Sequence, residues 1–287
     1  MAFLALSILA SSLIFIIFKL YTRFKVNTLF AIVANYFVAC SVGLIRYEGT
    51  TQITEVPEKP WFLGTFILGI LFIVVFNLMA MASQKVGVAV TSVATKMSFV
   101  IPVIFGLLLY NEELGTFKVI GILLALAAVY FASVKDSSIK FEKSSLILPA
   151  LVFLGSGIID ASLKYIQEIH IKEEDYPIFS ATVFASAAFM GLVITIFKLK
   201  DLRSNFNLNT LFGGIALGVV NYFSIYFLLK ALQNDTLNSA SVFTINNVAI
   251  VMFTTLLGIL LFKEKISPKN WSGIALAITS IILVAFG

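Results

Sequence analysis

Long apolar runs dominate this chain and decide what it can fold into. Ten stretches are long and apolar enough to be read as bilayer crossings: Ala2 to Leu20, Thr28 to Ile45, Trp61 to Ala82, Val88 to Tyr110, Phe117 to Ser133, Leu146 to Ile166, Ile178 to Phe197, Leu211 to Leu232, Leu237 to Phe262 and Trp271 to Phe286. A crossing needs roughly 20 apolar residues, so ten take about 200. That leaves under about 90 of the 287 residues for every loop and tail. No room remains for a water-facing domain. Composition agrees: 60% of residues are hydrophobic and only 12% are charged, half the usual share of charge. Lipid cannot satisfy an open backbone, and the alternating pattern of a barrel is absent, so the spans are expected to be helices. Trp61 and Trp271 each open a span, where an interfacial ring is expected.

Charge places the loops. Thirteen of the twenty Lys and Arg follow the first, third, fifth, seventh and ninth spans, among them Lys19, Arg23, Lys85, Lys200 and Lys263. Six lie on the other side, and Lys96 is inside a span. The richer side is expected to be cytoplasmic, which puts both termini outside a multi-pass cell membrane protein. The first run has no basic residue before it, so it reads as a retained helix and not a cleaved signal. The net charge of +5 is not a nucleic-acid signature, because no basic patch could track a phosphate backbone. One cysteine, Cys40, excludes an internal disulfide, and one histidine, His170, leaves little for metal chemistry. No metal or cofactor is expected.

Polar landmarks recur in order. Ser11 and Lys19 correspond to Ser156 and Lys164 at an offset of 145, Gly43 to Gly191 at 148, Gly69 and Gln84 to Gly218 and Gln233 at 149, and Glu112 and Gly121 to Glu264 and Gly273 at 152. The drift runs one way, as loop insertions would give. Each unit holds five spans, an odd number, so the second enters the membrane upside down. Inverted repeats mark transporters, with sites near the midplane between the halves. The fold expected is all-α integral membrane, ten helices in two inverted five-helix repeats, residues 1–135 and 145–287.

Each half closes on a span, a Glu, and a Gly nine residues later inside the next span: "LLLYNEELGTFKVIGILLAL" and "GILLFKEKISPKNWSGIALAI". This resembles the paired EamA repeat of the drug/metabolite transporter superfamily, across essentially the whole chain. The resemblance implies a ten-helix carrier that moves small metabolites, often outward. It fixes no substrate, since the superfamily handles amino acids, drugs, sugars and nucleotide sugars.

Lys96 is the sharpest single feature. It lies about nine residues into the fourth span, roughly 3 Å from the midplane at 1.5 Å per residue. A central Lys costs about 2.5–3.5 kcal/mol on insertion scales, so it normally faces a cavity or a partner. It can bind a substrate carboxylate or phosphate; the plainer alternative is an ion pair that fixes packing. Asp160 in the sixth span can pair with Lys96, accept a proton or bind an amine, and Lys164, four residues on, competes for it. Pro102 removes the hydrogen bond to the Ser98 carbonyl and makes "TKMSFVIP" a bendable, cavity-facing hinge. The repeat maps Ser98 onto Asn247 within "FTINNVAI", where Asn246 and Asn247 point about 100° apart. Asn77, Asn221, Tyr222 and Tyr226 add polar groups at similar depth. Any one of them alone is more often helix-to-helix glue than ligand.

Glu112 and Glu264 are expected to cap the helix that follows each, where the dipole favours an acid. Lys19 and Lys164 are expected to snorkel to the interface. The steps Gly121/Ala125, Gly273/Ala277 and Gly214/Gly218 allow close helix approach, in scaffold or homodimer contacts. No ATP-binding loop, no H-E-x-x-H and no G-x-S-x-G is present, so no enzyme activity is expected. The function expected is a secondary transporter, an exporter of small metabolites such as amino acids or drugs, driven by a proton or by exchange. The competing reading is a flippase of lipid-linked or isoprenoid-phosphate cargo, held by the intramembrane cation.

Overall fold

A computed structural model of the chain describes residues 1–47, 49, 52–110, 115–133, 144–170, 175–197, 207–232 and 239–286. No strand occurs among them. The helices are α1 (Ala2–Arg23), α2 (Thr28–Ile45), α3 (Phe62–Lys85), α4 (Val88–Met97), α5 (Val100–Tyr110), α6 (Thr116–Ser133), α7 (Ser144–His170), α8 (Tyr176–Phe197), α9 (Leu208–Leu232), α10 (Ser239–Phe262) and α11 (Pro268–Phe286). Among the described residues nine segments are long and apolar enough to cross a membrane, and Pro268–Val284 is a shorter apolar helix. The protein is a multi-pass, all-helical membrane protein.

The bundle is apolar on its outer face as well as in its core. On α3 the exposed residues Leu63, Ile67, Ile70 and Val74 fall at helical spacing on one large apolar stripe. The buried side of the same helix holds Thr65, Gly69 and Ser83. Lipid is as apolar as leucine, so helices associate through close packing and interhelical hydrogen bonds. Glycines set that closeness. A Cβ on Gly69 would lie 2.7 Å from the Ala187 nitrogen of α8, and one on Gly218 would lie 2.6 Å from the Asn35 carbonyl of α2. A Cβ on Gly121 would strike Val284 of α11, and one on Gly273 would strike the Ala132 backbone of α6. The small-residue faces of α6 and α11 are therefore taken up by each other within one chain, the most extensive helix pairing in the molecule. Gly214 likewise seats α9 on Ala31 and Ala34 of α2.

Side-chain contacts define the two ends of the bundle. One end, the Lys19 end, gathers the last turns of α1 and α3, the first turn of α4 and the chain after α10. Glu264 Oε1 accepts the Val88 N–H at 2.9 Å, Oε2 accepts the Ala89 N–H at 3.5 Å, and Lys19 Nζ lies 3.5 Å from Oε1. Lys19 also donates to the Gln84 carbonyl at 3.2 Å, and Gln84 Nε2 donates to the Phe18 carbonyl and Thr28 Oγ1. The expectation for Glu264 needs correction in one respect: the carboxylate caps α4, not the helix that follows it. Two glycines permit this. A Cβ on Gly258 would lie 2.7 Å from Oε2, and Gly87, at φ +136°, has its Cβ position 3.1 Å away. Lys19 is correspondingly tied into the protein and does not reach outward. Glu112 lies outside the described residues, as does the side chain of Lys164.

At the opposite end, the Arg46 end, the ends of α2 and α9 meet the starts of α3 and α8. Here Lys59 pairs with the buried Asp175 at 3.2 Å. Trp61 departs from expectation. It is 2% exposed, stacked edge-on against Phe179 at 5.3 Å, beneath the short 3₁₀ turn Ile53–Glu58, and does not reach lipid. Trp271 is half exposed, as an interfacial ring would be.

Candidate functional site

The fourth span is broken where the sequence placed its hinge. α4 stops at Met97, Ser98 and Phe99 form a turn, and α5 starts at Val100. The ring of Pro102 denies Ser98 its usual amide donor. The Ile101 N–H fills the vacancy at 2.9 Å, so the Ser98 carbonyl is not left for a ligand. The turn is pressed against α7. A Cβ on Gly157 would strike Ile101, and one on Gly155 would lie 2.7 Å from Val75 of α3. These two glycines let α7 approach closely enough to bring Asp160 to Ser98.

A cavity of about 640 Å³ opens beside this junction. Its polar wall includes Lys96 and Ser98 of the broken span, Asp160 of α7, Asn221 of α9, and Asn246 and Asn247 of α10. Pro102 and Ser156 also line it. Six phenylalanines (Phe72, Phe76, Phe99, Phe179, Phe184 and Phe243) stand in the apolar wall among aliphatic residues such as Val75, Met79 and Leu228. The lining lies toward the Arg46 end. It includes Ser180 four residues into α8, Leu228 four from the end of α9, and Phe243 four into α10. The Lys19–Glu264–Gln84 contacts tie the helices together at the other end.

The charged pair is close but not joined. Among the described residues the ion pairs within 4.0 Å are Lys19–Glu264 and Lys59–Asp175. Lys96 and Asp160 face the same space without touching. Lys96 has no hydrogen-bond partner among the described residues. Ser98 Oγ lies 2.6 Å from the Thr95 carbonyl and 3.2 Å from Asp160 Oδ2, so one hydroxyl proton serves two acceptors. Asp160 is exposed to the cavity although it lies deep along its helix. A carboxylate and an ammonium held apart in a low-dielectric wall attract complementary groups far more strongly than in water.

The asparagines divide by role. Asn221 Nδ2 donates to Asn35 Oδ1 at 3.2 Å, tying α9 to α2. Asn246 Oδ1 accepts from Ser7 Oγ at 3.1 Å, tying α10 to α1. Asn247 is half-buried, lines the cavity and makes no hydrogen bond with the described residues. Three of the residues singled out from sequence lie elsewhere. Asn77 is not in the cavity wall, and its amide donates to the Ile73 carbonyl of its own helix at 2.8 Å. Tyr222 and Tyr226 line a second cavity of about 220 Å³ at the Arg46 end. Sequence reasoning missed the phenylalanine wall, because aromatic residues inside a span carry no mark of facing inward. It also passed over Ser11 and Ser156 as lining, although their recurrence at an offset of 145 had set them apart; both border the cavity, and Ser156 Oγ is buried without a partner.

The sequence model of the EamA-like transporter family matches residues 1–134 and again residues 145–286. The chain belongs to the EamA-like transporter family. An uncharacterized protein of Haemophilus influenzae is 29% identical over 294 residues, covering 99% of this chain and 97% of its own. A protein of known crystal structure superposes with a TM-score of 0.56 over 98% of each chain at 15% identity, a likeness of fold alone. An EamA-like chain thus carries a cavity whose described lining holds one Lys, one Asp, several amides and hydroxyls, and six phenylalanines.

Proposed function

We propose that the protein is a secondary transporter that exports small metabolites across the cell membrane, by alternating access between two inverted five-helix units. The observation that carries this reading is the Lys96 ammonium, without an ion-pair partner within 4.0 Å among the described residues, on the wall of a cavity in the membrane-spanning bundle. Lys96 receives the carboxylate or other anionic group of the cargo. Asp160, steadied by Ser98, receives an amine or carries the coupling proton, and exchange is the other means of drive. Asn221, Asn246 and Asn247 present amides to the polar part, and the phenylalanines receive an apolar body. A zwitterion such as an amino acid satisfies both charges at once.

Helix packing supports the inverted repeat. If α1, α2, α3, the α4–α5 pair and α6 correspond to α7, α8, α9, α10 and α11, the contacts come in mates. The pairing of α1 with α9 has its mate in α3 with α7, and α2 with α9 in α3 with α8. The α1–α10 pairing answers to α4 with α7, while α2–α8 and α6–α11 lie on the twofold itself. The close approaches at Gly69 and Gly218 are mates as well. With the Lys-rich Lys19 end cytoplasmic, the cavity faces outward, the Lys19–Glu264 contacts form the inner seal, and both termini lie outside.

The test is the metabolite content of the medium of cells making the intact chain, Lys96→Ala, or neither, at equal membrane abundance. A small set of compounds rising only with the intact chain is expected. Full export by Lys96→Ala would move the site away from this cavity. An effect confined to lipid-linked compounds would favour the flippase.

A further inference from the structure

The charged residues that line the second cavity among the described residues are both basic. They are Arg46 at the end of α2 and Lys230 near the end of α9. Arg46 is held in a defined pose. Its Nη2 donates to Tyr226 Oη at 3.1 Å, and its guanidinium carbon sits 4.9 Å from the Tyr226 ring centroid. Tyr226 is stacked on Tyr222 at 6.1 Å and 17°. A guanidinium carries five N–H donors in a rigid fork. One is taken by Tyr226, and no carboxylate lies within 4.0 Å among the described residues. An arginine anchored only to lipid would swing its long stem outward; this one lies folded against an aromatic pair. The pocket also adjoins the central cavity, since Ser180, Phe184 and Ile225 border both.

We infer that Arg46, on its Tyr226–Tyr222 support, forms a second binding site that takes the oxyanion of a small organic solute, a carboxylate or phosphate, at the mouth of the central cavity. The inference rests on the transporter reading for its purpose, since a solute held there stands on the way to Lys96. Its chemistry stands alone: charge-assisted N–H to oxyanion bonds are the strong kind, and the planar fork suits a planar carboxylate. A site that shares a wall with the central cavity favours a dissolved solute over a lipid phosphate.

The experiment uses the full chain in maltoside micelles, which carry no phosphate, with Lys96→Gln as background so that the central ammonium does not report. Benzoate is the probe, and benzyl alcohol is its neutral counterpart. Thermal unfolding is followed against probe concentration. Saturable stabilisation by benzoate, weakened about tenfold or more by adding Arg46→Gln, is expected, with benzyl alcohol unaffected by that change. Arg46→Lys restores part of the affinity, and Tyr226→Phe weakens it severalfold by freeing the fork. These two variants decide the matter if Arg46→Gln does not fold. Equal benzoate affinity with and without Arg46 would overturn the inference, as would equal loss for both probes. Stabilisation that depends on Arg46 only in nanodiscs containing anionic phosphatidylglycerol would assign the site to lipid and overturn it too. Because the readout is binding, failure here leaves the export test untouched, and failure of export leaves this result standing.

Discussion

An ammonium in the middle of a membrane helix costs about 2.5–3.5 kcal/mol on insertion scales, and Lys96 bears that without a carboxylate within 4.0 Å among the described residues. A residue kept only for packing would gain from closing the ion pair with Asp160. Holding the two apart leaves both available to a visitor. Replacing Lys96 by Gln should therefore keep the helices and lower export at least about tenfold, the worth of one charged contact; export assays beside a membrane-abundance blot check this. Ser98→Ala should act more gently, because its proton is shared between Asp160 and the Thr95 carbonyl. A loss of severalfold in apparent affinity for the exported compound, with little change in thermal stability, is the expected result. Charged and polar groups in apolar runs are easy to see, which is why Lys96, Asp160, Ser98, Asn221, Asn246 and Asn247 stand out in the sequence, and all six border one cavity. Asn77, Tyr222 and Tyr226 were picked on depth alone, and depth does not give azimuth. In a bundle whose lipid face and core face are both apolar, the helical period that would orient them is faint.

At the level of elements, the most informative contact joins segments far apart in the chain. Glu264 follows α10 yet caps α4, and Lys19 completes the group from α1. An acid at a helix end was visible in sequence; which helix it would serve was not. That choice rests on Gly258 and Gly87, whose missing side chains admit the carboxylate. Removing an N-cap typically costs about 0.5–2 kcal/mol. Glu264→Ala should destabilise the protein by roughly that amount, and Glu264→Gln by less, since an amide oxygen still accepts from Val88. Thermal unfolding of the purified variants checks the order. Gly87→Ala should be worse than its size suggests, because φ +136° is strained for any side chain and its Cβ would crowd the same carboxylate. The fourth span shows the same mix of legible and hidden. Pro102 announced a break, but the Ser98 carbonyl expected to be free is filled by the Ile101 N–H, a local tightening that no spacing rule reveals.

For the whole molecule, the central cavity lies toward the Arg46 end, and the Lys19–Glu264 contacts tie the helices together at the other. Of the ten spans expected, nine are long enough to cross among the described residues, and Pro268–Val284 is shorter. The all-helical membrane class and the family were legible, because hydropathy and the paired Glu–Gly landmarks report on them directly. The side on which the cavity opens was not, since it depends on contacts between loops and on rings packed across helices. If the Arg46 end faces outward, a cysteine placed at Ser180 in a Cys40→Ser chain should react with a membrane-impermeant maleimide added to whole cells. One placed at Ser92, buried beside Thr254 below the cavity, should not. Protection of the Ser180 position in whole cells, with reaction in inside-out vesicles, would reverse the orientation. The central claim is that the cavity holding Lys96 is where cargo binds. Its most direct test is uptake of the exported compound into proteoliposomes, intact chain against Lys96→Gln, at matched incorporation. Saturable uptake by the intact chain, with the variant near the level of empty vesicles, is what the account predicts. Uptake by Lys96→Gln with unchanged rate and affinity would contradict it.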